Sequence, residues 1–143
     1  METLQRLTRR QVEALQAVSQ GETTGYGMSL NAVAARLRLR PPTALGHLTQ
    51  LERAGLVARH RGKTRLTERG RTTLTEYHRH HRIAESLFSH LGMPPQEVCA
   101  AAREVDLAIS HRTVERLCRA EGHPTVCPHG EPIPPCRDAP RPG

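Results

Sequence analysis

A histidine and a glutamate stand four residues apart, at His81 and Glu85, in a segment whose sequence predicts a long helix. Residues at positions i and i+4 of a helix lie on one face, so the imidazole and the carboxylate can bind one metal ion together. Taken alone, a His–Glu pair at this spacing is more often a surface hydrogen bond. The spacing therefore leaves two interpretations open, a metal site and a surface contact.

The four cysteines all lie in the last third of the chain, at Cys99, Cys118, Cys127 and Cys136. Residues 1–10 lack the apolar segment of a secretion signal, so we predict thiols or metal ligands rather than disulfides. Cys118 and Cys136, if exposed, are candidate redox sensors, because Arg119 and Arg137 beside them favour the thiolate. The alternative is that both are ordinary, unreactive thiols.

Two further groups of donor side chains have spacings that are less specific. His78, His80 and His81 form a histidine-rich patch that we interpret as a solvated helix face. The tail contains donors of the types that bind zinc, but their spacing matches no zinc finger. These tail donors are His123, Cys127, His129 and Cys136.

A basic run at residues 59–65 indicates a different function, because it holds four cations among seven residues. The apolar residues 56–58 predict one strand, residues 59–64 a tight turn and residues 65–67 the return strand. Such a hairpin places its cations where the phosphate backbone or the minor groove of DNA would lie. The run therefore predicts the wing of a DNA-binding domain.

Two short helices joined by a turn precede this wing. Ser29 is a plausible N-cap for a helix that ends near Leu37, and residues 38–40 form the turn. Pro41 and Pro42 suit the first turn of the next helix, which Gly55 ends. Helix, turn, helix and basic hairpin together predict a winged helix-turn-helix.

The second of these helices is predicted to enter the major groove with its N-terminal turn. Its apolar face should contain Leu45, Leu48 and Leu51, and the opposite side chains read the bases. Gln50 can pair with adenine, and Arg53 with guanine or a phosphate. The predicted DNA contacts are Ser29, Arg40, Pro41, Pro42, Thr43, Gly46, His47, Gln50, Arg53, Arg61, Lys63 and Arg65.

Helical periodicity dominates the rest of the chain, which places the protein in the mainly α class. Apolar spacing predicts helices over 4–18, over 68–91, over 96–110 and from a cap at Ser110 to about Ala120. Residues 122–143 contain seven of the eleven prolines and are predicted to be extended or disordered. We therefore predict a winged helix-turn-helix at 1–72, a helical domain at 73–121 and a flexible tail at 122–143.

The net charge of +7 is unevenly distributed. Residues 1–79 contain 14 Arg and Lys against 6 Asp and Glu, whereas residues 80–143 contain 7 against 8. A basic module beside a near-neutral one indicates a unit that binds a polyanion, although a solvated arginine face is an alternative. No apolar stretch approaches a membrane span, so we expect a cytoplasmic protein without a membrane partner.

Five segments resemble the diphtheria-toxin-repressor family of iron- and manganese-dependent regulators. They are RPPT at 40–43, LERAGLV at 51–57, RLTERGR at 65–71, HRIAE at 81–85 and HPTVCPHGEPIP at 123–134. The resemblance implies a homodimer formed through the helices after residue 72 and a palindromic DNA operator. The length corresponds to the two core domains of that family, without its small C-terminal β-barrel.

The resemblance also implies metal ligands. His81 and Glu85 match two ligands of one site, and Cys99 stands where that site has a histidine. A His/Glu/Cys set favours Zn²⁺, Fe²⁺ or Co²⁺ over Mn²⁺. The matched positions of a second, regulatory site are Arg10, Glu13, Arg103, Asp106 and Leu107.

This second site is altered in the present sequence. Glu13 and Asp106 can still bind an ion, whereas Arg103 brings a cation to the site and Leu107 cannot coordinate. An ion pair between Arg103 and Asp106, or between Arg103 and Glu13, is an alternative that would substitute for the metal.

These observations predict a dimeric, metal-responsive transcription regulator, most simply a repressor of metal-homeostasis genes. A regulator of the same fold that has lost metal control, or that responds to thiol chemistry, is the first alternative. A winged helix that docks on proteins is the second. No glycine-rich phosphate loop and no Ser/His/Asp order stands out, so we do not expect an enzyme.

Overall fold

The computed structural model describes residues 2–23 and 25–136 of the chain, and within them the protein is mainly helical, as predicted. A short 3₁₀ turn at Leu4–Arg6 precedes the first helix. The helices are α1 (Arg9–Glu22), α2 (Leu30–Leu37), α3 (Pro41–Arg53), α4 (Glu68–His90), α5 (Pro95–Val105) and α6 (His111–Ala120). The strands are β1 (Met28–Ser29), β2 (Val57–His60) and β3 (Lys63–Leu66).

Local capping sets the start of α1. The hydroxyl of Thr8 accepts a hydrogen bond from the amide of Gln11 at 3.2 Å, and the Gln11 side chain accepts one from the amide of Thr8 at 2.9 Å. This reciprocal capping box begins a helix at Arg9. The prediction of one helix over 4–18 was therefore wrong at its N-terminal end, although its apolar residues lie in the core.

The helix-turn-helix forms as predicted. Ser29 caps α2 by accepting from the amide of Ala32 at 3.2 Å. Arg38 ends α2 in the left-handed conformation, with φ at 54°. Pro41 then opens α3, where a missing amide donor costs little.

The wing is a small antiparallel sheet with strand order β1-β3-β2. Its hairpin turn consists of Arg61 and Gly62 alone, and both have positive φ, at 49° and 74°. The predicted turn over 59–64 was thus too long, because residues 59–60 and 63–64 pair in the ladder. The two-residue strand β1 was not predicted, since a strand this short shows no periodicity.

The chain divides into two units, one at residues 7–74 and one at 2–6 with 75–136. In the first unit, α1, α2 and α3 pack with the sheet around a core of aliphatic side chains, including Leu15, Val33 and Leu48. Gly70 lies so close to this core that an added Cβ would stand 2.0 Å from the carbonyl oxygen of Leu56. No helix in the described part of the chain has the length and apolarity to cross a membrane.

The second unit contains buried charged and imidazole groups. Arg79 pairs with Glu115 at 2.7 Å, and both side chains are largely buried. His80 is also buried and stacks on His111, with ring centroids 5.8 Å apart. Burial and the nearby His111 lower the pKa of His80 to about 4, so this imidazole is neutral. His78 and His81 are half-buried, so the histidine-rich segment is not a solvated face, which corrects that interpretation.

Residues 122–136 are irregular but packed, in contrast to the extended or disordered tail that their prolines predict. Cys127, Ile133 and Cys136 join Ile83 of α4 in one apolar cluster. The backbone amide of Ile133 bonds to the carbonyl of Thr125 at 2.9 Å. Burial of these apolar side chains offsets the conformational entropy that the segment loses when it becomes ordered. The proline-rich composition alone does not indicate this burial. The remainder of the predicted tail, 137–143, lies outside the described residues.

One further helix end differs from its prediction. The segment expected to be helical over 96–110 ends at Val105. Asp106 follows as the C-cap, and Ser110 then caps α6 by accepting from the amide of Thr113 at 3.1 Å. The side chain of Asp106, at this helix end, contacts His81 of α4.

Candidate metal centre and DNA-reading surface

His81 on α4 is the centre of a group of polar side chains. Its Nδ1 lies 2.8 Å from Oδ2 of Asp106, and its Nε2 lies 3.3 Å from Oε1 of Glu85. The sulfur of Cys99 on α5 lies 3.6 Å from the same Nε2. The structure thus brings together His81, Glu85 and Cys99, whose donor atoms all lie within 4.8 Å of one another.

The tautomer of His81 determines what this group can bind. Asp106 is fully buried, and its carboxylate accepts the Nδ1–H of His81, so a neutral imidazole carries its lone pair on Nε2. That lone pair faces the carboxylate of Glu85. Two electron-rich atoms at this distance attract each other only if a proton or a metal cation lies between them. A carboxylate behind a histidine is also the usual support for a metal-binding imidazole.

Asp106 therefore contacts His81, a partner that the family resemblance did not imply. The resemblance placed it with Glu13 in a second metal site. In its own unit it supports His81 instead. Glu13 belongs to the other unit, where Arg10 pairs with it at 3.0 Å and also donates to the carbonyl of Leu37 at 3.3 Å.

Glu85 has a second set of neighbours that sequence reasoning missed. Its Oε2 lies 2.6 Å from Nδ1 of His129, and Cys127 completes a second group of close donor atoms. The Nε2 of His129 is within 3.2 Å of the carbonyl of Pro95. The motif at 123–134 was a signal for His129, but spacing along the chain did not indicate its approach to Glu85.

Cys99 is exposed as a residue, yet its sulfur lies among charged groups. Partial desolvation and the carboxylate of Glu85 raise the pKa of Cys99, and Arg103 acts in the opposite direction. The thiol is therefore protonated at neutral pH, and it must lose its proton before it can bind a metal ion.

The remaining cysteines are distributed differently from the sequence-based groupings. His123 lies beside Cys118 and Cys136, whereas Cys127 and His129 lie beside Glu85. Cys118 and Cys136 are buried, so the exposure required of a redox sensor is not met. Arg137, the proposed activating neighbour of Cys136, lies outside the described residues.

The outer face of α3 exposes most of the side chains predicted to contact DNA. The face toward the core contains Ala44, Leu48 and Leu51, whereas Leu45 is only half-buried, which corrects the predicted apolar face. His47 is half-buried, and the side-chain oxygen of Gln50 accepts a hydrogen bond from the side-chain nitrogen of Gln11 at 2.8 Å. The exposed members of the predicted set on and beside α3 are Arg40, Pro41, Pro42, Thr43, Gly46, Gln50 and Arg53.

The wing presents two cations at its tip, since Arg61 and Lys63 are both exposed. Arg65 is exposed as well, but it donates to the carbonyl of Gly25 and is thereby held against the loop before β1. Ser29 is occupied as the cap of α2. The two tip residues are thus the cations of the wing best placed to meet a phosphate backbone.

Two family models match the chain, and they meet near residue 70. The model described as "LexA DNA binding domain" matches residues 4–75. The model described as "Iron dependent repressor, metal binding and dimerisation domain" matches residues 67–135. They describe a DNA-binding domain and the metal-binding and dimerisation domain of a repressor, in agreement with the prediction that the chain is not an enzyme.

Individual relatives give the same result. The iron-dependent repressor IdeR of Mycobacterium tuberculosis is 36% identical over 107 residues, which cover 71% of this chain. The chain spans 45% of the length of that relative. A hypothetical protein of known structure from Sulfolobus solfataricus is 27% identical with a TM-score of 0.85, and 90% of this chain matches 99% of it. A manganese-dependent transcriptional repressor in complex with manganese is 29% identical with a TM-score of 0.67, over 85% of this chain and 58% of that one.

Proposed function

Because this chain belongs to the diphtheria-toxin-repressor family of iron-dependent repressors, we propose that it is a dimeric repressor whose affinity for duplex DNA depends on a divalent metal ion. One observation carries the metal dependence. The lone pair of His81 faces Glu85 and Cys99 while buried Asp106 holds the other ring nitrogen. We place its action in the cytoplasm, at genes of metal homeostasis.

His81, Glu85 and Cys99 would hold the ion, and the nitrogen, oxygen and sulfur donors fit Fe²⁺, Zn²⁺ or Co²⁺ better than Mn²⁺. When bound, the ion supplies a fixed double positive charge that one carboxylate and one thiolate neutralise. Asp106 keeps His81 in the tautomer that binds. Because Glu85 lies on α4 and Cys99 on α5, binding would join these two helices within the dimerisation unit.

We propose that control rests on this group rather than on a second ion at Glu13 and Asp106. Both acids already have partners inside their own units, Arg10 and His81 respectively. Leu107 adds no donor atom. A metal ion at the second position would have to displace these contacts.

The DNA-binding part of the proposal depends on α3 and the wing. Each subunit of a homodimer would place the first turn of α3 in the major groove of one half of a palindromic operator. The exposed residues around Thr43 and Gly46 would face the bases there. Arg61 and Lys63 would contact phosphates, so they would raise the affinity for every sequence.

Replacing both Arg61 and Lys63 with glutamine should weaken DNA binding about 10-fold or more at low salt, on any sequence. Each lost phosphate contact should also lower the slope of log affinity against log salt by about 0.9. Fluorescence anisotropy with an operator fragment and an unrelated duplex measures both effects. The matched control replaces Arg112 and Arg116, which are exposed on α6, and removes the same charge. Equal affinity and slope for the two double variants would place the DNA-binding surface elsewhere.

Replacing Cys99 with serine should lower the affinity for Fe²⁺, Co²⁺ or Zn²⁺ by about 10- to 100-fold, because a soft thiolate is lost from the donor set. Isothermal titration of the metal-free protein measures this affinity. DNA binding in chelator should be weak for both proteins, and saturating metal should restore it in both. Unchanged metal affinity in Cys99→Ser would show that the Cys99 thiol is not a ligand.

A thiol-responsive regulator of the same fold is the second candidate, because Cys99 is exposed and its sulfur lies 3.6 Å from Nε2 of His81. The two candidates differ in their response to chelation. If chelator leaves operator affinity unchanged while a thiol-blocking reagent alters it, and Cys99→Ser removes that alteration, the thiol is the sensor. Loss of operator binding in chelator, restored by one ion, supports metal control.

A further inference from the structure

Cys118, His123 and Cys136 form a donor group that is separate from the His81 centre. The Nδ1 of His123 lies 3.5 Å from the sulfur of Cys118 and 3.2 Å from that of Cys136. All three donor atoms lie within 4.8 Å of one another. None of the three residues belongs to the groups around Glu85.

The end of α6 is folded in a way that brings His123 back onto Cys118. Gly122 and His123 both have positive φ, at 74° and 54°, and the amide of His123 donates to the carbonyl of Cys118 at 2.8 Å. A non-glycine residue in this conformation is uncommon and is retained where the surroundings impose it. The backbone therefore turns sharply to place this imidazole against the thiol.

A loop closed by backbone hydrogen bonds leads to the third donor, Cys136. The amide of Cys127 donates to the carbonyl of Glu131 at 2.9 Å, and Val126 pairs with Pro132 in an isolated antiparallel bridge. This closes the loop and returns the chain to α6 at Cys136. Cys118 and Cys136 are only 3% and 7% exposed, beside Val114 and Ile133.

The spacing of the donors matches that around a thiophilic ion. Zinc bonds of about 2.3 Å to sulfur and about 2.0 Å to nitrogen, at a tetrahedral angle, separate sulfur from nitrogen by about 3.5 Å. The separation from Cys118 equals this value, and the separation from Cys136, at 3.2 Å, is slightly shorter. Two thiols and an imidazole are also the donor types that select zinc or cuprous ions over manganese or magnesium.

The surroundings include one cation that supports the charged form of the thiols. Burial and the neighbouring Cys136 raise the pKa of Cys118, and the guanidinium of Arg79 acts against them. Arg79 is itself buried and paired with Glu115. A metal cation would offset the remaining cost of burying two thiolates.

We propose that Cys118, His123 and Cys136 bind one thiophilic ion, Zn²⁺ or Cu⁺, which fastens residues 122–136 to the end of α6. Either ion would be held by the same donors, two thiolates and one imidazole. Three protein donors satisfy Cu⁺, whereas Zn²⁺ would take a water as its fourth ligand. The proposal is independent of metal control at His81.

The test uses the full chain, reduced and metal-free, with the double variant Glu85→Gln, Cys99→Ser as the parent, so that both donor groups around Glu85 lose their carboxylate. Co²⁺ serves as the probe for the zinc arm, because thiolate-to-cobalt absorption reports sulfur ligation. Competition with Zn²⁺ then gives its affinity. In the second arm, Cu⁺ is titrated against a colorimetric cuprous chelator.

Three variants of this parent remove one donor each: Cys118→Ser, Cys136→Ser and His123→Asn. Asparagine tolerates the left-handed backbone, so the last variant keeps both thiols and the local fold. Cys127→Ser is the matched control, since this thiol is equally buried in the same cluster but belongs to the donor group of Glu85, which the parent has lost. Circular dichroism of the metal-free proteins identifies any variant that fails to fold.

We expect the parent and the Cys127→Ser control to bind one equivalent of Zn²⁺ or Cu⁺, and each donor variant to bind at least 100-fold more weakly. Binding in only one arm identifies the ion. If the parent binds neither ion with submicromolar affinity, or if His123→Asn binds as tightly as the parent, the group is a packed cluster of ordinary thiols and the proposal is wrong.

Discussion

Replacing Glu85 with glutamine is expected to lower the affinity for the activating metal by about 100-fold or more and to remove metal-dependent binding to DNA. Glu85 belongs to both donor groups, because its Oε1 faces His81 and its Oε2 faces His129. Glutamine keeps the shape of the side chain but removes the charge that offsets the cation. Isothermal titration and operator binding with added metal measure the two effects.

The same substitution separates a metal ligand from a structural residue. Glu85 is only 3% exposed, so without a metal ion its buried charge carries a desolvation cost that the neutral amide of glutamine avoids. We therefore expect the melting temperature without metal to stay the same or rise, while the increase caused by metal disappears. Glu97→Gln on the exposed first turn of α5 is the control and should behave like the wild type. A metal affinity within threefold of wild type in Glu85→Gln would exclude Glu85 as a ligand.

Replacing Gly70 with alanine should destabilise the winged helix by about 2–4 kcal/mol. The new Cβ would stand 2.0 Å from the carbonyl oxygen of Leu56, a backbone atom that cannot rotate away. That carbonyl also accepts a hydrogen bond from the amide of Thr67 at 3.1 Å, which ties strand β2 to the start of α4. Relief of the overlap must therefore move the backbone. Urea unfolding followed by circular dichroism measures the change.

Gly46→Ala is the matched control, because it makes the same chemical change in a helix of the same unit. No atom lies within 4 Å of a Cβ added at Gly46. Alanine there should raise the free energy of unfolding by about 0.5–1 kcal/mol, through its higher helix propensity. If the two substitutions shift the urea midpoint in the same direction, the close approach of Gly70 to Leu56 does not make a side chain at position 70 destabilising.

Glutamate at position 85 also shows how far spacing along the chain could predict the site. The i, i+4 relation to His81 lies within one helix, so the sequence was sufficient to place these two side chains on one face. The approach of His129 joins residues more than forty positions apart. It depends on how an irregular segment packs, and no local pattern encodes that packing.

Asp106 illustrates a different limit. Resemblance to the family assigned it to a second metal site, whereas the structure has it supporting His81. The contact joins residues 25 positions apart in sequence, and no pattern within either helix encodes it.

The sequence by itself determined the mainly helical class, the winged helix-turn-helix and the pairing of His81 with Glu85. Each depends on interactions over a few residues: the cap at Ser29, the prolines that open α3, the basic hairpin and helical periodicity. Only the tertiary structure decided that Asp106 orients His81, that Glu85 also faces His129, and that Cys118, His123 and Cys136 meet. These contacts join distant segments, and the burial of apolar side chains such as Ile83 and Ile133, rather than any local preference, brings the segments together.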